Sequence, residues 1–337
     1  MRYPFASMLI AEIAPSMGIS VELEPEYHFA GELVFPDGRR HLFRNTNFNV
    51  NPAGSTEIAK DKGYTNFFLR KHGFHVPCNK AFFSEKLNAH LPAMRRRGLK
   101  DAIEYATQIG LPVFVKPNSL NQGLFVTKAY STHHITNAAN QVFERTNVLL
   151  IEEFCRGRDY RIVILGSKVI SAYERVPLSI VGDGKNTIEH LIQLSKDQLE
   201  HQGRPNSEID PSDPRIAIKL SALGKSRDSI PLLGENVVLL DNANLSTGGA
   251  SIDVTDSIHL SFAEIAVKAT KTLGLQLCGV DILADDLTQD ALAQGWNIIE
   301  MNAAPGLNNY SSIGNEQAER VKDLYRQILE YLAERYV

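Results

Sequence analysis

Apolar positions along this 337-residue chain follow two rhythms. Short runs such as VLLIEEF, YRIVIL, VISAYERV, NVVLLD, CGVDIL and WNIIEMN have the length and β-branched content of strands. Elsewhere apolar residues recur three and four apart, as in RGLKDAIEYATQIG, SFAEIAVKATKTLG and EQAERVKDLYRQILEYLAERY, and predict amphipathic helices. Another helix is predicted near 131–146, and one more over TEIAKDKGYTNFFLRKHG, capped by Ser55 or Thr56 and stopped at Gly73. Ahead of these, residues 1–56 read as a short helix and a hairpin, with YHFAGELVF and RRHLFRN joined by the turn PDG. Residues 201–235 break both rhythms. They are rich in Pro, Ser, Gly and Asp and read as a long, partly mobile excursion, a feature that usually serves function.

Composition narrows the class. With 43% hydrophobic and 22% charged residues the chain reads as a soluble globular protein of two or three packed lobes. A net charge of -4 provides no basic surface for nucleic acid, and no apolar run approaches the ~20 residues of a membrane span. The N-terminal residues lack the pattern of a signal peptide. Cys78, Cys155 and Cys278 are far apart without metal-ligand spacing, which fits a reducing cytoplasm better than a disulfide framework.

Candidate chemistry gathers at strand ends. Glu300 and Asn302 are two apart in a strand and share a face, and Asp281 joins them if CGVDIL is the neighbouring strand. Three oxygen donors suit Mg²⁺, which takes few carboxylates plus substrate phosphates. Ordinary acids at strand ends are the alternative for any one of them. Lys116 ends the apolar run PVFV, while Lys62, Arg161, Lys168, Arg175 and Lys219 sit beside apolar segments. Several fixed cations are what a triphosphate needs, although a lone lysine is more often a solvated side chain. After Lys116 the loop NSLNQG offers backbone N–H groups to phosphate oxygens, and Gly123 permits close approach. It is not a Walker A loop, and a plain hairpin turn is the alternative. In LLIEEFCRGRDYR the strand could wall an adenine, with backbone at Glu153 and Cys155, Glu152 at the exocyclic amine and Asp159 at the ribose. A strand ending in a charged turn is the equal alternative.

Taken together, these pieces resemble the ATP-grasp superfamily, and more closely the ATP-grasp part of cyanophycin synthetase. The resemblance runs from about Ala59 to Tyr310 through KDKGYTNFFLRKHGFHVP, VFVKPNSLNQG, EEFCRGRDYRIVILGSKVISAYERVPLSIVGDGKNTIEHLI, NANLSTGGASIDVTD, CGVDIL and IIEMNAAPGL. The loop after Lys116 and the CGVD segment also look like the ligase half of bifunctional bacterial glutathione synthetase. The resemblance implies an α+β fold in which two lobes with antiparallel sheets grip ATP. It implies a short N-terminal segment (1–56), a nucleotide-binding lobe (57–157) and a C-terminal lobe with the metal and substrate site (158–337). It implies ATP and Mg²⁺ as cofactors, with Mn²⁺ an alternative. The implied reaction joins a small-molecule carboxylate to an amine, of amino acids or a peptide, through an acyl phosphate.

By position, Lys62 and Lys116 look like phosphate lysines, and Ser119, Asn121 and Gly123 like the closing loop. Glu152, Glu153, Cys155, Asp159 and Arg161 look like nucleotide contacts, and Asp281, Glu300 and Asn302 like the metal set. Arg175, Asn244, Gly248 and Gly249 look like the reacting-carboxylate site, with Lys219 a γ-phosphate contact. Two departures stand out. Leu240 occupies a place where relatives usually have arginine. The region before Ala59 is short for a substrate-binding domain and no Mur-ligase-like domain follows Val337, so the acyl substrate is not inherited, and a neighbouring subunit of a homo-oligomer is one way to complete the site. Modification of a peptide or protein side chain, and a nucleotide-binding module without catalysis, are the alternative functions.

Overall fold

The computed structural model describes residues 4–119, 124–201, 210–241, 243 and 249–334. Helix α1 (Phe5–Ile13) precedes strands β1 (Ser20–Leu23), β2 (Ala30–Val34) and β3 (Arg40–Arg44). Next come α2 (Ala53–Lys60), α3 (Lys62–Lys71), β4 (Asn79–Phe83), α4 (Glu85–Asn88), α5 (Leu99–Ile109), β5 (Val113–Pro117), β6 (Thr127–Ala129), α6 (Thr132–Phe143) and β7 (Val148–Glu153). Then follow β8 (Arg158–Leu165), β9 (Lys168–Val176), β10 (Ser179–Val181), α7 (Ile188–His201), α8 (Pro214–Ala222), β11 (Asn236–Val238) and β12 (Ala250–Asp253). The chain continues through α9 (Leu260–Thr272), β13 (Leu277–Ala284), β14 (Trp296–Asn302), α10 (Asn308–Ser311) and α11 (Asn315–Glu334).

Strand alternation decides how the two larger sheets pack. In the antiparallel sheet β4-β7-β5-β6, Phe82, Leu149, Ile151, Val113 and Val115 face α5 and α6 and bury against Ala106, Ile135 and Ala139. The intervening residues Leu150, Glu152, Phe114 and Lys116 therefore lie on the other face. The sheet β12-β9-β8-β13-β14 repeats the scheme, with Tyr160, Ile162, Val280, Ile282 and Ile298 packed with Phe262, Ala266 and Ala269 of α9. Its opposite face carries Asp159, Arg161, Tyr173, Arg175, Asp281 and Glu300. One end of that face is closed by α11, whose Val321, Leu324, Tyr325, Ile328, Leu329 and Leu332 form one buried stripe against α1, β2, β3 and Val163. Burial at ~1.5–3 kcal/mol per large aliphatic side chain outweighs the exposed ion pairs of Arg320, worth ~1 kcal/mol or less each.

Three departures from the sequence reading have local causes. The N-terminal hairpin is a three-stranded sheet, because β1 pairs with β2 from Ser20↔Val34 to Leu23↔Gly31. Strand β1 is four residues long with none buried, so its pattern is weak. The long helix predicted from Thr56 is two helices. Asp61 adopts an extended backbone (φ -98°, ψ 106°) and caps α3 by accepting from the Tyr64 N–H at 2.8 Å. The excursion over 201–235 contains α8, and this helix joins α7, β10 and β11 around a small core of Ile180, Ile188, Ile192, Ile216, Leu220 and Leu240. No helix among the described residues is long and apolar enough to cross a membrane.

Candidate active site

The break between α2 and α3 positions the first lysine. Asn118, just past β5, holds the break from three sides. Its carbonyl accepts from Lys62 N–H (3.2 Å), its Oδ1 accepts from Gly63 N–H (3.0 Å), and its Nδ2 donates to Asp61 Oδ2 (2.6 Å). Gly63 lies so close that a Cβ there would meet Asp61 Oδ1 at 3.2 Å and Asn118 Oδ1 at 3.4 Å, which explains a glycine after Lys62. Lys62 is buried at the start of α3, and its Nζ reaches Glu300 Oε1 of β14 at 3.0 Å. Asp61 and Asn118 thereby become site residues that the sequence reading missed. A polar pair separated by 57 positions leaves no periodic trace.

The polar face of the five-stranded sheet is organised by register. Asp281 stands opposite Arg161 on one side and Glu300 on the other, and Asp159 stands opposite Arg175. Arg161 grips Asp281 with two bonds, Nε to Oδ1 at 2.7 Å and an Nη to Oδ2 at 2.8 Å. Arg175 donates to Asp159 Oδ1 at 2.6 Å and to Asp281 Oδ2 at 2.9 Å, linking the two carboxylates. Gly279 leaves room for this, since a Cβ there would lie 3.5 Å from Arg161 Cδ and 3.2 Å from Pro305 Cβ. Burial pushes Asp159 up to about 6 despite the pull of Arg175, with the Asp281 charge adding to the rise. Burial acts on Asp281 in the same direction, but the Arg161 and Arg175 guanidiniums prevail and hold it below the usual carboxylate range.

The other sheet carries less charge. Lys116 and Glu152 are both buried and pair at 2.5 Å across β5 and β7. Glu152 Oε2 has no hydrogen-bond partner among the described residues, an open acceptor in a buried place. Glu153 lies on the opposite face of β7, its N–H donates to the Cys78 carbonyl, and its carboxylate accepts from Cys155 Sγ at 3.6 Å. Burial pushes the Cys155 thiol up to about 12, and the Glu153 and Glu152 charges add to the rise.

The structure thus brings together Lys62, Arg161, Arg175, Asp159, Asp281 and Glu300, and separately Lys116 and Glu152. Asp159, read from sequence with the adenosine contacts, lies in the arginine network, opposite its register partner Arg175. Lys168 is exposed at the β8–β9 turn and belongs to neither group. Lys219 on α8 pairs with Asp241 at 2.6 Å, and Leu240 is an apolar core residue of its module, 3% exposed. Gly249 is buried and Ser119 exposed, whereas Asn121, Gly123, Asn244 and Gly248 lie outside the described residues. A concavity of about 680 Å³ lies beside α9 and the β8–β9 turn, away from both groups, lined among others by Val169, Leu260, Glu264, Val267, Lys268 and Lys271.

Among the described residues no three His, Cys, Asp or Glu side chains converge on one point, and Mg²⁺ needs no such cluster, since it binds through one or two carboxylates plus substrate phosphates. Glu300 is one-third exposed and shares its face with Asn302, so these two offer hard oxygen donors to a divalent cation. Asp281 is different. Both of its oxygens accept from arginine, so in this arrangement it is the shared counter-ion of Arg161 and Arg175.

Comparison with known proteins identifies related sequences and a related fold. Residues 89–190 match the D-ala D-ala ligase C-terminus family, and residues 241–324 match the RimK-like ATP-grasp domain. The glutathione biosynthesis bifunctional protein of Clostridium perfringens is 34% identical over 228 residues, covering 63% of this chain and 28% of that protein. Cyanophycin synthetase of Crocosphaera subtropica is 32% identical over 260 residues, covering 75% of this chain and 28% of the relative. The chain spans roughly 28% to 38% of the length of the curated relatives it matches. Among solved structures, the bifunctional glutathione synthetase of Pasteurella multocida superposes with a TM-score of 0.56 at 27% identity, over 91% of this chain and 40% of that one. The chain carries the ATP-grasp fold and resembles the ligases of that superfamily.

Proposed function

We propose that this chain is an ATP-dependent, ADP-forming carboxylate–amine ligase that joins amino acids or a small peptide. One observation carries the reading. Arg161, Arg175, Asp159, Asp281 and Glu300 occupy one face of one sheet, and Lys62 reaches that face from a helix break. The named activities of the relatives support it, since glutathione and cyanophycin synthesis both join amino acids. On this reading residues 57–157 bind the nucleotide and 158–337 carry the metal and substrate site, with 1–56 packed against the latter.

Each residue then has a task. Glu152 Oε2, an acceptor without a partner among the described residues, accepts a hydrogen bond from the exocyclic amine of adenine. Lys116 and Lys62 hold phosphates, with Lys219 at the γ-phosphate. Glu300 and Asn302 hold a divalent cation, Mg²⁺ or Mn²⁺, which when bound supplies charge neutralisation at the phosphates. A carboxylate oxygen of the acyl substrate attacks the γ-phosphorus, the bond to the β-phosphate oxygen breaks, and ADP leaves. The amine nitrogen then attacks the acyl carbon, the acyl C–O bond breaks, and phosphate departs while the nitrogen loses a proton. Arg175 steadies the oxyanion of that second step by releasing part of its hold on Asp159 or Asp281.

The decisive experiment screens amino-acid pairs for phosphate release and identifies the product by mass, with one carboxylate labelled in heavy oxygen. ADP, labelled inorganic phosphate and a new amide are expected. AMP among the products, or phosphate without label, would overturn the mechanism.

A further inference from the structure

Lys128 escaped the sequence reading, yet it is built into the molecule with care. It stands on β6 opposite Phe114, which pairs with Glu152 on β7 and through it with Asn79 on β4, so all four share one cross-strand row on the polar face. Its side chain is only 11% exposed, its Nζ lies 3.6 Å from the centre of the Phe154 ring, and Asp241 Oδ1 is 3.8 Å away. The same Asp241 oxygen accepts from Lys219 Nζ at 2.6 Å. Lys128 and Arg215 of α8 line a narrow cleft with Phe114 and Leu240, and Asp241 completes it. Asp241 therefore stands between an ammonium group on the four-stranded sheet and another on the α8 module. Burial, with Lys219 nearby, lowers the Lys128 ammonium below its ordinary range against the pull of Asp241, so its contact with the carboxylate is poorly screened by water.

We infer that Lys128 and Asp241 are positioning residues, holding α8 against β6 and thereby fixing where Lys219 stands over the nucleotide. Lys128 acts through Asp241 and touches no substrate. Two lysines sharing one carboxylate across two packed elements have this consequence by geometry. With Lys128 removed, Asp241 follows Lys219 alone and α8 loses this ionic tie to the sheet, keeping the contacts of Arg215 and Ile218 around the cleft. This inference rests on the proposed nucleotide reading, in which Lys219 meets the γ-phosphate and ADP has nothing for it to meet.

The test compares ATP with ADP affinity by calorimetry in the wild-type chain, Lys128→Met, Lys219→Met, the double variant and Lys128→Arg. Lys128→Met should weaken ATP about tenfold, the order expected for one charge-assisted contact, and leave ADP unchanged. Lys219→Met should do the same, and the double variant should lose no more than Lys219→Met alone, because the two act as one unit. Lys128→Arg should restore most of the ATP affinity. If Lys128→Met does not fold, judged by circular dichroism, Asp241→Asn provides the same ATP-against-ADP comparison. Equal losses for ATP and ADP, an unchanged ratio, or full additivity in the double variant would each overturn the inference. Failure of the wild-type chain to bind either nucleotide would instead overturn the nucleotide reading itself.

Discussion

The four-stranded and five-stranded sheets each bury one face under helices and keep polar residues on the other, but they distribute charge differently. The first holds the closed pair of Lys116 with Glu152, with Lys128 on the same face turned to Asp241, and an acceptor oxygen without a partner among the described residues. The second holds a network in which Asp281 serves two arginines and Arg175 serves two carboxylates. An isolated pair with one open acceptor suits a neutral hydrogen-bond donor, as on the edge of a base. A network of alternating sign suits an incoming anion, because an arginine can exchange one carboxylate for a phosphate and stay bonded to the other. The difference also sets fragility. A buried charge that loses its only partner is left uncompensated, whereas a shared one is partly covered.

Breaking the network at its centre should have the largest effect. Asp281→Ala leaves Arg161 without its bidentate partner and Arg175 with one partner, so it should destabilise the chain by ~3–5 kcal/mol. A thermal midpoint within a degree of wild type would show that the arginines find other partners and that the network is not the keystone of this face. Glu300→Ala tests the rim of the same network. Its pair with Lys62 is one-third exposed on the carboxylate side, so the fold should survive at a cost of ~1 kcal/mol or less. Turnover should nevertheless fall by about a hundredfold or more as an electrostatic contact to the reacting phosphates is lost. Near-normal ADP formation at saturating magnesium would remove Glu300 from the metal set.

Lys116→Met probes the isolated pair. ATP binding should weaken by ~1–3 kcal/mol for a lost charge-assisted contact. The change also leaves the Glu152 carboxylate buried with neither oxygen partnered, so some of the loss belongs to the fold. Combining it with Glu152→Gln removes that stranded charge. ATP affinity that remains low in the double variant assigns the loss to phosphate contact, and full recovery would assign it to the stranded carboxylate.

The same contrast explains what could be read from sequence. Alternation in YRIVIL and VISAYERV places Arg161 and Arg175 on strands, and the two-residue spacing of Glu300 and Asn302 puts them on one face. Register is a different matter. That Asp159 meets Arg175 depends on how β8 pairs with β9, and alternation alone does not fix the offset of a pair. The break at Asp61 is hidden because Asp tolerates a helical run, and only Asn118, far along the chain, makes the cap worth forming. Lys128 is hidden for a third reason. A lone lysine on a three-residue strand has no pattern, and its meaning comes from Asp241, 113 positions later by their numbering.

The smallest expected effect is also the one most specific to the network, a pH dependence carried by Asp159. Its ordinary carboxyl value is 3.8, and burial raises it to about 6 in the folded chain, against Arg175 and with Asp281. Between those values the folded chain holds a proton that the unfolded chain has released. Stability from this group is therefore fully present below about 3.8 and is lost as pH rises through about 6. Asp281 has the opposite sign. Held below its usual range, it contributes stability above that range and loses it only as pH falls further, so the window between pH 4 and 6 isolates Asp159. Asp159→Asn keeps the size and an acceptor for Arg175 but cannot titrate. The thermal midpoint of wild type minus that of the variant should fall as pH rises from 4.5 to 6.5 and level off above about 7. Carbon-13 shifts of the Asp159 carboxyl provide a direct reading of the same titration. A midpoint difference that stays flat, with a carboxyl titrating near 3.8, would mean that water reaches this face freely, and the contrast between the two sheets would then be one of residue count and not of burial.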